Sequence, residues 1–140
     1  MAKKIYTPVL IGVADYKNSS MKVADAVEPL QLMLKALHLA LQDTSLSSSF
    51  LSTLQANIDS VSVVRPWSWN YHDLPGLVGK GLGVHVMDAA KTLSHHGGDS
   101  PAKLVDEAAR RVAKGESRVA VVCGGEALAS RRCSVSLYVG

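Results

Sequence analysis

The chain's 140 residues, 47% hydrophobic and 19% charged, suffice for one folded domain and are too apolar for a disordered one. The formal charge of +3 comes from Lys and Arg scattered in ones and twos, with Arg110-Arg111 and Arg131-Arg132 the densest pairs. No basic patch interleaved with aromatics forms and no stretch approaches membrane-spanning length, so neither nucleic acid nor membrane is an expected partner.

The start, MAKKIYTPVLIGVADY, joins a basic pair to an apolar run of strand length instead of a leader-type apolar segment with a small-residue cleavage site. Residues 8–13, apolar and rich in β-branched side chains, predict a buried strand closed by Asp15. YKNSSMKVADA has no period and predicts a loop. From Glu28 onward Leu30, Met33, Leu34, Leu37 and Leu41 recur at three and four, which predicts an amphipathic helix to about Thr44. The serine-rich stretch 45–53 predicts the end of that helix. IDSVSVV predicts a second strand with Ile58, Val61, Val63 and Val64 on its apolar side, stopped by Arg65-Pro66.

PWSWNYHDLPG carries both tryptophans and Tyr71 between two prolines and predicts a loop of unusual aromatic weight. GLVGKGLGVHVM predicts a short helix running into a short strand, with three glycines against it, and residues 89–93 predict another short strand. HHGGDSP then reads as a glycine turn with Ser100 as N-cap and Pro101 at the first helical position; Gly115 closes the helix as a C′ residue. The helix, residues 101–114, has a wide stripe lined with alanine, which predicts packing on more than one side. RVAVVCGG predicts a strand buried on both faces. Strands alternating with helices imply an α/β fold with a mixed, mainly parallel sheet.

The candidate chemistry centres on the glycine turn. Glycines ahead of a helix N-terminus present backbone N–H groups to an anion or a developing oxyanion, which makes Gly97, Gly98, Asp99, Ser100 and the adjacent His96 candidate substrate-binding residues. The competing reading is a purely structural turn. The spacing matches neither a dinucleotide nor a P-loop fingerprint. Ser100 has no activating base identified nearby and suits a capping role better than a nucleophilic one. His95 and His96, as neighbours on an extended segment, point to opposite faces and do not form a metal pair, so no metal site is expected. His38 reads as a packed or surface residue. His72 and Asp73 are either substrate contacts or part of a surface loop. Cys123, at the end of an apolar strand, reads as a buried structural thiol with a raised pKa. Cys133 receives no role. Two cysteines without a CxxC pair fit a reducing compartment, so the chain is expected to be cytoplasmic.

PVLIGVAD, IDSVSVV and GGDSPAKLVDEAARRVAKGESRVAVVCGGEALASRR, in that order, resemble the N-terminal half of thiolases. The nearest branch is that of thiolase-like proteins labelled acetyl-CoA acetyltransferase, related to the sterol-carrier-protein type of thiolase. The match runs from about Pro8 to Arg132. It implies two similar α/β halves, each a five-stranded mixed sheet, with helices filling the layer between. It also implies acyl-CoA or acetyl-CoA thioesters as substrate, no bound cofactor, acyltransferase or carbon–carbon lyase chemistry in lipid or secondary metabolism, and a homo-oligomer or a partner thiolase-like chain. A peroxisomal location is a family alternative, although no targeting signal is present.

The family's nucleophilic cysteine stands at the turn before the helix, and that position is Gly98 here, so no catalytic residue is assigned. The chain is expected to be one thiolase-like N-terminal domain, residues 1–140, truncated, with the tail 131–140 departing from the family pattern. The alternative is a non-catalytic remnant that binds a CoA thioester or pairs with a partner chain.

Overall fold

The computed structural model describes residues 5–20 and 22–128. Four helices, α1 (Pro29–Asp43), α2 (Ser48–Ala56), α3 (Leu74–Gly81) and α4 (Ser100–Ala113), alternate with three strands, β1 (Ile58–Val64), β2 (Lys91–Leu93) and β3 (Val119–Gly124). Among the described residues, single 3-10 turns lie at Val23–Asp25 and Asp88–Ala90. The sheet is parallel throughout, in the order β2-β1-β3, with Val61 opposite Lys91 on one side and Val121 on the other.

β1 is the centre of the domain, and its pairing on both edges explains why IDSVSVV does not alternate between core and solvent. Val61 and Val63 pack with Met33 and Leu37 of α1 and with Leu74 and Val78 of α3 in the main core. Ser60 and Ser62 are buried as well. By the period of two they face the opposite side of the sheet, where α4 crosses β1 and β3 and buries Leu104 and Ala108. The one-sided apolar strand expected from the sequence is therefore a two-sided core strand whose second face is made of small hydroxyls.

Helix α1 follows its sequence pattern: Met33 and Leu37 are buried, and Leu30 and Leu41 pack against the core. Pro29 at its first position needs no N–H partner. Helix α4 ends as its sequence predicts. Gly115 adopts φ +71°, its N–H donates to the Val112 carbonyl at 2.9 Å, and the Glu116 N–H donates to Arg111 at 2.9 Å, a Schellman closure.

Several expectations are corrected. Residues 8–13 form no strand: Val9 is 74% and Leu10 81% exposed. The segment instead lies across helix ends, with the Tyr6 N–H donating to Ala113 O at 2.9 Å and the Val13 N–H to Asp43 Oδ2 at 2.9 Å. Strand propensity is realised only where a neighbouring strand offers a ladder, and none of the described strands pairs with this run. A Cβ at Gly12 would come within 2.2 Å of the Ala40 carbonyl, so glycine is what lets the segment cross α1. The serine-rich stretch is not merely a terminator; it holds α2, where Ser52 and Thr53 donate their hydroxyls back to the carbonyls of Ser48 and Ser49. The short strand expected after α3 is absent, and residues 84–87 are irregular.

Helix α4 buries one narrow face only, leaving Ala102 and Val105 exposed, so packing on more than one side does not occur within the described residues. β3 is partly buried from Val119 to Cys123 rather than sealed on both faces. Cys133 and the tail 131–140 lie outside the described residues. Among those described, no helix is long and apolar enough to cross a membrane.

Candidate functional site

Because β1 and β2 run parallel, their carboxyl ends open on the same edge of the sheet, the edge where open α/β sheets place ligands. Two segments emerge there. From β1 comes the aromatic loop that begins at Arg65; from β2 comes the turn of residues 94–99 that leads into α4. Ser94 ties them together. Its N–H donates to Val63 O at 3.0 Å, its hydroxyl accepts from the Arg65 N–H at 3.0 Å, and its carbonyl accepts from Arg65 Nε at 3.1 Å. Further out, the Trp67 and His96 rings stack with centroids 4.1 Å apart and planes tilted by 34°.

Between loop and turn lies a cleft of about 320 Å3 lined by Arg65, the aromatic loop, Leu74, Leu93 and His96. Its far wall is fixed by Glu126, whose Oε1 accepts from the backbone N–H groups of Trp67 at 2.8 Å and Ser68 at 3.4 Å. Tyr71 is anchored from α1: its hydroxyl donates to Glu28 Oε2 at 3.1 Å and accepts from the Leu30 N–H at 3.3 Å. Burial pushes the phenol up to about 12, opposed by the Leu30 N–H and reinforced by the Glu28 carboxylate. Two polar atoms of the loop, Ser68 Oγ and Trp69 Nε1, are buried without a hydrogen-bond partner, a condition that costs about 1–3 kcal/mol per group unless a ligand or water meets it.

The candidate residues of the turn fall into two sets. Gly97 and Gly98 are exposed, and their N–H groups donate to no acceptor among the described residues. A Cβ at Gly98 would meet nothing within 4 Å. His96 faces the cleft through its contact with Trp67, while His95 is exposed and lends its carbonyl to the turn. Ser100, in contrast, is only 6% exposed and donates its hydroxyl to His95 O at 2.9 Å.

The expected capping role of Ser100 is therefore corrected. Asp99 is the N-cap, α4 begins at Ser100, and the serine hydroxyl braces the turn from inside. The Asp99 carboxylate makes no capping bond; it pairs with Lys103 Nζ at 2.6 Å, which holds it below the usual carboxylate range. That pairing offsets the negative charge that would otherwise oppose an anion at the head of the helix.

Other candidates resolve as structure. Asp73 caps α3 by accepting from the Gly76 N–H at 3.0 Å, and pairs with Lys91 at 3.0 Å, while Lys91 also holds Asp88 at 2.8 Å. His72 is exposed and borders a more open groove of about 650 Å3 beside α3. His38 is a surface residue bonded to Leu34 O at 2.7 Å. Cys123 is partly buried on β3, and desolvation pushes its thiol up to about 12, as expected of a structural cysteine. Among the described residues no group of three or more His, Cys, Asp or Glu is placed to hold a metal.

Sequence reasoning did not single out Arg65, Ser94 or Glu126. Arg65 carried a usable signal, since it follows directly on the carboxyl end of a predicted strand; the Glu126 contact depends on a distant crossing that no local pattern encodes.

No protein-family model and no curated protein matches the chain. Among solved structures, it resembles a monomeric SCP2-thiolase-like protein type 1 from Mycobacterium smegmatis, with a TM-score of 0.68 and 26% sequence identity over 84% of this chain. The chain spans 23% of the length of that protein. The parallel sheet, the helices on both its faces and this structural match together establish that the chain carries part of a thiolase-like fold.

Proposed function

We propose that this chain supplies the thioester-binding turn of a thiolase-like acyltransferase acting on acyl-CoA thioesters, acetyl-CoA among them, in lipid or secondary-metabolite carbon-chain metabolism. The observation that supports the reading is the position of Gly97 and Gly98, exposed and with unengaged N–H groups, at the head of a 14-residue helix and beside the aromatic cleft. The positive end of the helix dipole and free backbone donors favour charge that develops on a thioester carbonyl oxygen. Lys103 neutralises Asp99, so the helix head is not blocked by its own carboxylate. Gly98 brings no side chain and the Ser100 hydroxyl is committed to His95, so this turn forms no covalent acyl intermediate. In this reading the nucleophile and the acid–base groups lie outside the turn.

Equilibrium dialysis against labelled acetyl-CoA, combined with the intact mass of the protein, tests the proposal. Saturable binding at unchanged protein mass is expected. Absence of binding overturns the thioester reading, and a mass gain of one acetyl group overturns the assignment of the turn as non-nucleophilic.

A second reading, a CoA-thioester-binding module without turnover that works only with another copy or another thiolase-like chain, is favoured by the same lack of a nucleophile at Gly98. It is separated from the first by whether a product forms when such a partner chain is added.

A further inference from the structure

We propose that the cleft between Arg65 and the Trp67–His96 pair is a binding site for a monocarboxylate with a short apolar remainder. This goes beyond the thioester reading and does not rest on it. Among the described residues no Asp or Glu lines the cleft. Glu126 and Glu28 stand behind its wall with their bonds already made, Glu126 to the Trp67 and Ser68 N–H groups and Glu28 to the Tyr71 hydroxyl.

Donors, in contrast, are in surplus. Arg65 is fixed through Nε on the Ser94 carbonyl, while its two Nη groups find no partner among the described residues. Ser68 Oγ and Trp69 Nε1 are buried and unpartnered in the same wall. A guanidinium held by one edge offers the rest of its planar fork, a shape that matches the two oxygens of a carboxylate. Among the described residues Arg65 is the one permanent cation in the lining, which suits a single negative charge better than a phosphate dianion. The indole and imidazole faces and Leu74 and Leu93 supply an apolar wall for the remainder, and a cleft of about 320 Å3 suits a small ligand.

The chain contains two tryptophans and both line this cleft, so intrinsic emission reports on it directly. Sodium hexanoate is the probe, with hexanamide as its neutral isostere and inorganic phosphate as the competing anion. Hexanoate is expected to change the emission saturably, and neither control to do so. Arg65→Gln should weaken hexanoate by about tenfold or more, the scale of a lost charge-assisted contact, and Arg65→Lys, which keeps the charge but not the fork, should fall between. Ser68→Ala and Trp69→Phe each remove one unpartnered donor while keeping Trp67 as reporter; both should weaken binding, and they carry the test if the Arg65 variants do not fold.

Absence of a saturable response, an equal response to hexanamide, saturation by phosphate alone, or unchanged affinity in the folded donor variants overturns the proposal. None of these results bears on acetyl-CoA binding, which is measured separately.

Discussion

Trp67 and His96 join the loop of β1 to the turn of β2 by ring contact, 4.1 Å between centroids, which links the wall of the cleft to the approach to Gly97 and Gly98. The contact is the outermost link of a chain whose inner links are the Arg65–Ser94 hydrogen bonds. His96→Ala should therefore loosen the rim without unfolding the domain. Aromatic pairs contribute about 0.5–1.5 kcal/mol beyond their burial, and Trp67 is 71% exposed, which places the loss at the lower end. Urea unfolding of the variant should show that small loss, together with a rise in tryptophan emission as the stacked imidazole is removed. A large drop in stability would mean that the pair does more than join two rims.

The Gly98 position accepts a side chain, and the Gly115 position does not. A Cβ at Gly98 meets no atom within 4 Å, whereas Gly115 sits at φ +71° with the Tyr6 ring 3.0 Å from its would-be Cβ. Gly98→Cys should change stability by no more than about 0.5 kcal/mol, while Gly115→Ala should cost about 1 kcal/mol or more. At the head of α4 the new thiol should ionise more readily than a free cysteine. In a Cys133→Ser background Gly98→Cys should thus react with iodoacetamide at neutral pH far faster than Cys123, whose thiol is pushed up to about 12. Equal rates would remove the helix head as a source of positive potential.

Much of this arrangement was legible in the sequence, and the failures share a cause. The leucine and methionine spacing of α1, the strand IDSVSVV, the aromatic loop and the Gly115 stop all depend on local rules, and each is found in place. Residues 8–13 have the composition of a strand, but a strand exists only through its neighbour, and no described strand pairs with them. Ser100 looked like a cap because serine caps helices; its hydroxyl found a better acceptor in the His95 carbonyl once the turn closed over it. The turn was found as a candidate site from its glycines alone. The cleft was not, because Arg65, Trp67, His96 and Glu126 meet only after β1 and β2 are laid side by side.

Asp73 joins two elements, capping α3 and pairing with Lys91 at the start of β2. The Lys91 hydrogen bond, then the Gly76 N–H, hold its carboxyl below the usual carboxylate range. The folded pKa is therefore lower than the unfolded one, so the contribution is present above the ordinary carboxylate range and is lost as pH falls through the folded value. Asp73→Asn keeps a capping oxygen and removes the charge, and its deficit against wild type should shrink as pH is lowered beneath the usual carboxylate range. Its size should be small and salt-dependent, since the Asp73 side chain is 45% exposed. Asp73→Ala should lose about 1 kcal/mol more through the cap, at neutral and acid pH alike. A deficit in Asp73→Asn that does not vary with pH would show that the ion pair is not what stabilises the junction.

The surface formed by residues 5–13 bears on how the chain behaves in solution. Ile5, Val9, Leu10 and Val13 are all exposed, and among the described strands β3 pairs with β1 alone, so no described strand covers its other edge. Contiguous apolar surface and an open strand edge both favour association. The chain is accordingly expected to self-associate, with a sedimentation coefficient that rises with concentration. Val9→Lys and Leu10→Glu place charges on side chains that touch little in the folded domain, so they should restore a monomer without loss of stability in urea. If association arose instead from partial unfolding, both substitutions would leave it unchanged. If the unaltered chain sediments as a monomer at every concentration, the exposed run is a tolerated surface and does not serve as a contact.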